Sequence, residues 1–164
     1  MSEKLSHVDA SGKASMVNVN QKKVTLRTAR AQSIVVLTNE LLDLIEQDEL
    51  PSKKGPVFQT AIIAGIMAAK KTGELIPLCH PLGLDNCQID IQINERREVV
   101  INCTASLSAK TGVEMEALVG ASIAALTVYD MCKALSQDIV IKETKLMEKT
   151  GGKRDFLRNE STDD

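Results

Sequence analysis

The sequence predicts a mixed α+β domain, and three observations support this fold class. Apolar and polar residues alternate through 88–93 and again through 99–107, which indicates a β-hairpin with one buried face. Two largely apolar stretches, 57–72 and 113–135, are typical of helices. One short β-branched run precedes this set and another follows it. This order is the split βαβ pattern, so we expect a ferredoxin-like fold: a four-stranded antiparallel sheet with two main helices on one face.

The length and composition of the chain fit one domain. Its 164 residues are 43% hydrophobic, and a chain of this size buries about two-thirds of its unfolded surface without disulfides or metal. We expect a single domain over 1–164, whose polar ends, about 1–15 and 155–164, are partly flexible. The N-terminus carries no apolar signal region and no apolar run approaches the ~20 residues that span a bilayer, so we expect a soluble, cytoplasmic protein with no membrane partner.

Charge and aromatic content argue against nucleic-acid binding. Twenty basic residues stand against 22 acidic ones, a net charge of −2, whereas nucleic-acid-binding domains usually carry a basic excess. One Tyr, two Phe and no Trp leave no platform on which bases could stack. The four cysteines lack CxxC spacing, which argues against a zinc ribbon or a thioredoxin motif and fits reduced, packed thiols.

The first half of the chain contains one predicted strand and two predicted helices. The β-branched run 34–37 predicts a strand, and 39–47 has the apolar spacing of a short amphipathic helix. The polar segment 48–55, with sequence DELPSKKG, is typical of an exposed loop, and Pro56 stands where a helix could begin. The predicted helix 57–72 has two lysines in its last turn and a glycine after it, as helix ends often do.

The second half of the chain adds the hairpin, a long helix and a last strand over 139–146. Thr111 and Glu114 have the T-x-x-E spacing of a capping box, which predicts that Glu114 caps the start of the helix over 113–135. Apolar residues cover more of the surface of this helix than a single face packed on the sheet would bury. We therefore expect another subunit to cover part of its outer face, or the bare face of the sheet.

Two segments are candidates for chemistry. The loop LIPLCHPL places Cys79 and His80 between two stiffening prolines, so His80 is either a structural imidazole or a polar donor at the edge of a site. Metal binding is disfavoured, since neither residue has a partner at a convincing spacing. Asp130 and Lys133 are i,i+3 neighbours within an apolar helix, and form either a surface ion pair or a partly buried acid–base pair. Glu116 is freer for function than the capping Glu114.

Four motifs resemble those of the MoaC family: LIPLCHPL at 75–82, KTGVEMEAL at 110–118, ALTVYDMCKA at 125–134 and EKTGGK at 148–153. The resemblance implies a cyclic pyranopterin monophosphate synthase, a lyase of molybdenum cofactor biosynthesis. Such enzymes convert (8S)-3′,8-cyclo-7,8-dihydroguanosine 5′-triphosphate to cyclic pyranopterin monophosphate and diphosphate. The resemblance also implies a homohexamer, built as a trimer of dimers, with the site at a subunit interface.

The same resemblance assigns roles to individual residues. The catalytic residues it implies are Asp130, its partner Lys133, and Lys54 on a mobile loop. The substrate-binding residues it implies are Leu78, Cys79, His80, Glu114, Met115 and Glu116, with Arg27, Lys70 and Lys153 as basic phosphate contacts. No resident metal or cofactor is implied, although Mg²⁺ can accompany the substrate phosphates.

The sequence departs from the usual family pattern at three places. Asn18 stands where the family usually has Asp, so no acidic role is expected there. Pro56 replaces a common acidic residue after the loop lysine and stiffens that loop. Arg154 and Asp155 follow Lys153 where Ser-Gly is usual, which leaves the role of this tail in phosphate binding open.

Helix geometry separates two of the implied site residues. Glu116 and Asp130 are fourteen residues apart, which places them within about 40° around one helix but ~21 Å apart along it. Either an extended substrate bridges them, or each site combines Glu116 of one subunit with Asp130 of another. The alternative function is a non-catalytic ferredoxin-like module that binds a ligand or RNA. The low aromatic content argues against RNA, and a ligand-binding module would not need Asp130 and Lys133 together.

Overall fold

A central antiparallel sheet organises the protein, whose computed structural model describes residues 7–9 and 11–159. The elements in chain order are β1 (Thr25–Val36), α1 (Asn39–Leu42), β2 (Pro51–Ser52), β3 (Gly55–Pro56), α2 (Val57–Ala69), α3 (Thr72–Leu75), β4 (Asn86–Ile93), β5 (Val99–Ala109), α4 (Glu114–Cys132), β6 (Val140–Thr150) and β7 (Phe156–Leu157). The α+β class and the predicted β4–β5 hairpin are confirmed.

The sheet has five strands in the order β4-β5-β1-β6-β7, and every pairing is antiparallel. The expected count of four is therefore wrong. The fifth strand is β7, where Phe156 pairs with Lys149 and Leu157 pairs with Glu148. Two residues in a polar tail give no alternating pattern, so the sequence carried no signal for this strand. The parts of the expected flexible ends at 1–6, 10 and 160–164 lie outside the described residues.

The core lies on one face of the sheet, beneath α2 and α4. Alternate residues of β1 and β5 point into it, among them Ala31, Val35 and Ile101, all of which are fully buried. The two helices approach closely where glycines face each other: a Cβ on Gly65 would lie 2.7 Å from the carbonyl oxygen of Gly120. Small residues at this crossing let α4 sit deep against both the sheet and α2.

By length and composition, α4 is the one helix among the described residues that could cross a membrane. Its interior position accounts for that composition: Ala117, Ala121, Ala124, Ala125 and Val128 are fully buried in the core. All four cysteines are free thiols. Cys103 and Cys132 are buried, as expected from their apolar surroundings, and Cys79 and Cys87 are partly buried.

Several predicted boundaries need correction. The helix expected over 39–47 ends at Leu42, because the N–H groups of Leu44 and Ile45 bond only three residues back. Gln47 and Asp48, with left-handed φ angles of 50° and 60°, then form a tight turn. The helix expected to reach 72 ends at Ala69, whose carbonyl oxygen accepts a hydrogen bond from the Thr72 hydroxyl at 2.9 Å. The first and last long strands extend beyond their predicted β-branched runs, to Thr25 and to Thr150 respectively.

The predicted capping box at the start of α4 is not formed. The helix begins at Glu114, and the preceding residue, Val113, makes no side-chain capping hydrogen bond. The Glu114 carboxylate instead accepts a hydrogen bond from Lys149 Nζ of β6 at 3.0 Å. Glu114 therefore bonds a lysine of β6 in place of the capping hydrogen bond that the T-x-x-E spacing predicts.

Candidate active site

A cleft of about 520 Å³ opens at the N-terminal end of α4. The loop after α3, the β5–α4 connection, the ends of β1 and β6, and the segment before β1 form its walls. Eight of the nine implied substrate-binding residues line it: Arg27, Leu78, Cys79, His80, Glu114, Met115, Glu116 and Lys153. The ninth, Lys70, lies at the C-terminal end of α2 and is not among the residues that line the cleft.

The glycine pair between β6 and β7 places Lys153 beside Arg27. Gly151 has a left-handed φ of 83°, and a Cβ on it would collide with the backbone oxygen of Leu26. A Cβ on Gly152 would lie 3.0 Å from the Arg27 guanidinium. Arg27 itself donates from Nε to the carbonyl oxygen of Ala109 at 3.3 Å. Only glycines leave this turn room to pack on β1. Close packing therefore explains the two glycines of the GGK motif, and a phosphate-binding P-loop is not needed to explain them.

Glu116 is buried in the cleft, with 3% of its surface exposed. Burial, and to a smaller extent the nearby charge of Glu114, raises the pKa of the Glu116 carboxyl. Burial also raises the pKa of the Cys79 thiol, and the negative charge of Glu116 adds to that effect. The site therefore holds a carboxyl that retains its proton more readily than an exposed one, beside a thiol that stays protonated.

Lysine residues that the sequence argument did not select also line the cleft. Lys22, Lys110 and Lys149 join Arg27 and Lys153 there. Lys149 pairs with Glu114, as described above, and lies within the recognised EKTGGK motif, so its place in that motif was an available signal. Five cationic side chains against two carboxylates give the cleft a positive character in a chain of net charge −2.

His80 connects the cleft to the N-terminal segment. Its Nε2 lies 2.8 Å from the carbonyl oxygen of Val17, to which it donates a hydrogen bond. Lys110 Nζ donates to the carbonyl oxygen of Asn20 at 3.2 Å and holds the same segment. His80 therefore has a structural partner and also borders the cleft. Among the described residues, no group of three or more His, Cys, Asp or Glu side chains could hold a metal ion.

A second group of charged residues lies at the other end of α4, and we call it the lysine–aspartate cluster: Lys54, Asp130 and Lys133. Lys133 Nζ lies 2.6 Å from Asp130 Oδ1, and Lys54 Nζ lies 3.2 Å from Asp130 Oδ2. The structure thus brings together the three residues to which the resemblance assigned catalytic roles. Lys54 reaches Asp130 from the β2–β3 hairpin, so the contact joins that hairpin to the C-terminal end of α4.

The lysine–aspartate cluster is exposed within the described chain, so of the two alternatives for Asp130 and Lys133 the structure favours the surface ion pair over the partly buried pair. All three side chains are slightly more than half exposed, whereas Met131 and Cys132 of the same helical turn are buried in the core. Hydrogen bonds from Lys133, and then from Lys54, lower the pKa of Asp130. The same contact with Asp130 raises the pKa of Lys133. The cluster therefore keeps a carboxylate and an ammonium group charged side by side over a wide pH range.

The cleft and the cluster lie at opposite ends of one continuous helix. Because α4 is unbroken from Glu114 to Cys132, the separation of ~21 Å along the axis between Glu116 and Asp130 applies to the folded chain. None of the three cluster residues lines the cleft. Within one described chain, these two groups of site residues therefore do not form one compact reaction centre.

Comparison with known proteins finds a family model and long relatives. The model of the MoaC family matches residues 16–152. Molybdenum cofactor biosynthesis protein 1 from Dictyostelium discoideum is 52% identical over 165 residues, which cover 90% of this chain and 26% of the relative. A molybdenum cofactor biosynthesis bifunctional protein from Synechocystis sp. is 51% identical over 153 residues, which cover 91% of this chain and 44% of the relative. The chain thus spans less than half the length of these curated relatives.

Proposed function

The chain belongs to the MoaC family, and on that premise we propose that it is a cyclic pyranopterin monophosphate synthase of molybdenum cofactor biosynthesis. The proposed substrate is (8S)-3′,8-cyclo-7,8-dihydroguanosine 5′-triphosphate, and the proposed products are cyclic pyranopterin monophosphate and diphosphate. The observation that supports this best is the concentration of five cations and two carboxylates in one cleft. A triphosphate needs cations locally, and a protein of net charge −2 supplies them there.

The proposed reaction is a lyase reaction that ends in ring closure on phosphorus. A substrate hydroxyl attacks the α-phosphorus and loses its proton to a base, the bond between the α-phosphorus and the bridging oxygen breaks, and diphosphate leaves. Arg27, Lys149 and Lys153 are placed to hold the phosphates and to stabilise the charge that grows on diphosphate. The lysine–aspartate cluster supplies a carboxylate acceptor and an ammonium donor for proton transfer.

The site is proposed to combine two subunits. The lysine–aspartate cluster of one subunit completes the cleft of its partner, in a homohexamer built as a trimer of dimers. The separation of the two groups along α4 supports this arrangement. Apolar side chains exposed on the packed helices support it further, since Ile63 and Met67 of α2 and Leu126 of α4 are each more than half exposed. A two-fold axis would then create two equivalent sites in each dimer.

Three further assignments accompany this proposal. The antiparallel order β4-β5-β1-β6 of the long strands, connected through α2 and α4, supports a ferredoxin-like fold extended by β7. The protein is proposed to be soluble and cytoplasmic, without nucleic-acid or membrane partners. Mg²⁺ is proposed only as a companion of the substrate phosphates, because the donor groups of the described residues suit phosphate better than a dedicated cation site.

The test is turnover by the purified protein, measured as diphosphate released and cyclic monophosphate formed. Asp130→Asn and Lys133→Ala are expected to assemble normally and to lose ~10²- to 10⁴-fold in kcat, as general acid–base groups do. Lys54→Ala should lower kcat far more than Lys53→Ala, a matched change at an exposed neighbour in the same loop. Substrate binding without any turnover would favour the alternative function, a non-catalytic ligand-binding module. Full activity of both Asp130→Asn and Lys133→Ala would show that these two residues form only a surface ion pair.

A further inference from the structure

The loop that carries Lys54 is held at its base by one carboxylate, that of Glu49. Glu49 Oε1 accepts hydrogen bonds from the backbone N–H of Leu50 at 2.8 Å and of Phe58 at 2.7 Å. Glu49 Oε2 accepts a third, from the N–H of Gln59, at 3.0 Å. One side chain therefore joins the residue where the loop begins to the first turn of α2, where the loop ends.

Glu49 takes the place of a local cap on α2. The residue before this helix is Pro56, which makes no side-chain capping hydrogen bond. The first-turn N–H groups of a helix have no partner within the helix, and the helix dipole favours a negative charge beside them. Glu49 meets both needs from nine and ten residues upstream, so the start of α2 and the base of the loop form one hydrogen-bonded unit.

The hairpin itself has few hydrogen bonds with which to hold its shape. Pro51 pairs with Pro56 across the β2–β3 ladder, and neither residue has an N–H to donate. At the tip, the Ser52 hydroxyl donates to the carbonyl oxygen of Gly55 at 2.8 Å and accepts from the N–H of Lys54 at 3.1 Å. The position of Lys54 therefore depends on Ser52 at the tip and on Glu49 at the base.

The turn that precedes Glu49 adopts a conformation that is rare for its residues. Gln47 and Asp48 both have positive φ angles, and reciprocal backbone hydrogen bonds of 2.9 and 3.0 Å between Glu46 and Glu49 close the turn. Strained backbone persists only where the surrounding structure enforces it. Here the turn reverses the chain immediately before Glu49 and directs its carboxylate to α2.

We propose that Glu49 is a positioning residue that places Lys54 against Asp130. This inference rests on the proposed function for its catalytic meaning, but the placement itself is a property of this fold. Glu49 fixes the loop base, Ser52 fixes the tip, and Lys54 Nζ then lies 3.2 Å from Asp130 Oδ2. Without the carboxylate, the base of the loop keeps the hydrogen bonds from the Val57 N–H to the Leu50 carbonyl oxygen and from the Thr60 hydroxyl to the Pro56 carbonyl oxygen, and Lys54 leaves Asp130 for part of the time.

The first experiment reads the contact directly, without turnover. The side-chain carboxyl carbon of Asp130 is followed by NMR through an acid titration, and Asp130→Asn identifies its signal. Lys54 is one of the two lysines that lower the pKa of Asp130, the other being Lys133. Lys54→Ala is expected to raise this pKa, Glu49→Ala to raise it by a smaller amount, and the double variant to raise it by no more than Lys54→Ala alone. An unchanged titration in Glu49→Ala, or full additivity in the double variant, overturns the proposal.

The second experiment measures kcat and KM with the same variants. A misplacement of about 1 Å can cost ~10²-fold in rate, so Glu49→Ala should lower kcat by 10- to 100-fold in the wild type and have little effect in the Lys54→Ala background. Glu49→Gln keeps an oxygen acceptor for Leu50 and Phe58 but loses the one for Gln59, so its kcat should lie between those of the wild type and Glu49→Ala. Glu46→Ala, an exposed carboxylate in the same turn, is the matched control and should behave as wild type.

The two experiments separate failure of this inference from failure of the proposed function. If the wild-type protein shows no turnover, the titration of Asp130 still decides whether Glu49 positions Lys54. If turnover is normal and Glu49→Ala keeps wild-type kcat, the positioning role is wrong while the proposed function stands. If Glu49→Ala does not fold, Glu49→Gln decides through the same titration: an Asp130 pKa between those of the wild type and Lys54→Ala supports the proposal, and an unchanged one overturns it.

Discussion

At the scale of single residues, the two ends of α4 shift the pKa values of their carboxyl groups in opposite directions. Asp130 is exposed and bonded to two lysines, so its pKa is lowered and it stays ionised. Glu116 is buried near another acid, so its pKa is raised. Groups whose environments push their pKa values apart are what acid–base chemistry requires. The placement of these two residues thus gives one helix both a stable anion and a carboxyl that retains its proton more readily than an exposed one.

The raised pKa of Glu116 has a consequence for stability. A folded-state pKa above the unfolded value means that the folded protein binds more protons, so stability falls as pH rises from the unfolded pKa through the folded one. Glu116→Gln has no carboxyl to ionise, so it avoids this decrease in stability. The variant is expected to be more stable than the wild type at neutral pH, and its free energy of unfolding should vary less with pH. Urea denaturation between pH 4 and 7 checks this. A variant less stable than wild type at pH 7 would indicate that the ionised carboxylate is well compensated.

The left-handed turn at Gln47 and Asp48 is a second residue-scale feature with a measurable cost. A positive φ costs a non-glycine residue ~1–2 kcal/mol. Glycine has no such steric cost, but the larger backbone entropy that it loses on folding offsets part of the gain. Asp48→Gly is therefore expected to raise the free energy of unfolding by about 1 kcal/mol, which is a rise of ~2–4 °C in Tm. Asp48→Ala keeps the strain and should give no gain. Equal effects from the two changes would contradict this explanation.

At the scale of elements, the sequence predicts what depends on periodic burial and misses what depends on distant partners. The β4–β5 hairpin and the helices α2 and α4 follow from alternation and apolar runs, because the core beneath the sheet selects those patterns. Glu114 was assigned to its own helix end, and the cap that α2 receives from Glu49 was not foreseen. Both depend on side chains that meet only after folding. The fifth strand was missed because two residues in a polar tail give no alternating pattern.

The candidate site was predictable to the extent that its residues lie in distinctive motifs. Leu78, Cys79 and His80 on one loop, and Met115 and Glu116 on α4, do line one cleft. Lys149 lay within a recognised motif but was not selected, since nothing in a lysine on a strand shows which side chain it will meet. Lys70 was selected and lies elsewhere. Which lysines face a cleft depends on strand register and turn geometry, and the sequence does not display either.

At the turn between β6 and β7, a single Gly→Ala substitution tests whether the backbone geometry requires glycine. Gly151 combines a left-handed φ with backbone packing on Leu26. Gly151→Ala is expected to lower the free energy of unfolding by ~2 kcal/mol or more, from the left-handed cost plus the displaced backbone. Gly83→Ala is the matched control, because a Cβ there meets nothing within 4 Å. Thermal unfolding of both variants checks this, and equal stability would contradict the account of the GGK turn.

At the scale of the whole molecule, the arrangement of charge along α4 supports the proposal of more than one chain per site. The cleft holds Glu116 and the cations that we propose to bind phosphate, and the lysine–aspartate cluster lies at the other end of α4. Apolar residues exposed on α2 and α4 give a second copy a surface to cover. The central claim is therefore that each site takes its cleft from one subunit and its cluster from another.

Subunit complementation tests that claim most directly. Glu116→Ala and Asp130→Asn chains, each inactive alone, are mixed in equal amounts, and native mass spectrometry verifies the exchange. In each mixed dimer one site receives both damaged residues and the other receives none, so about a quarter of wild-type activity should return. A mixture of Asp130→Asn and Lys133→Ala chains, damaged in the same cluster, should stay inactive. Recovery in the first mixture alone is the predicted result; no recovery after verified exchange would place Glu116 and Asp130 in a site formed within one chain.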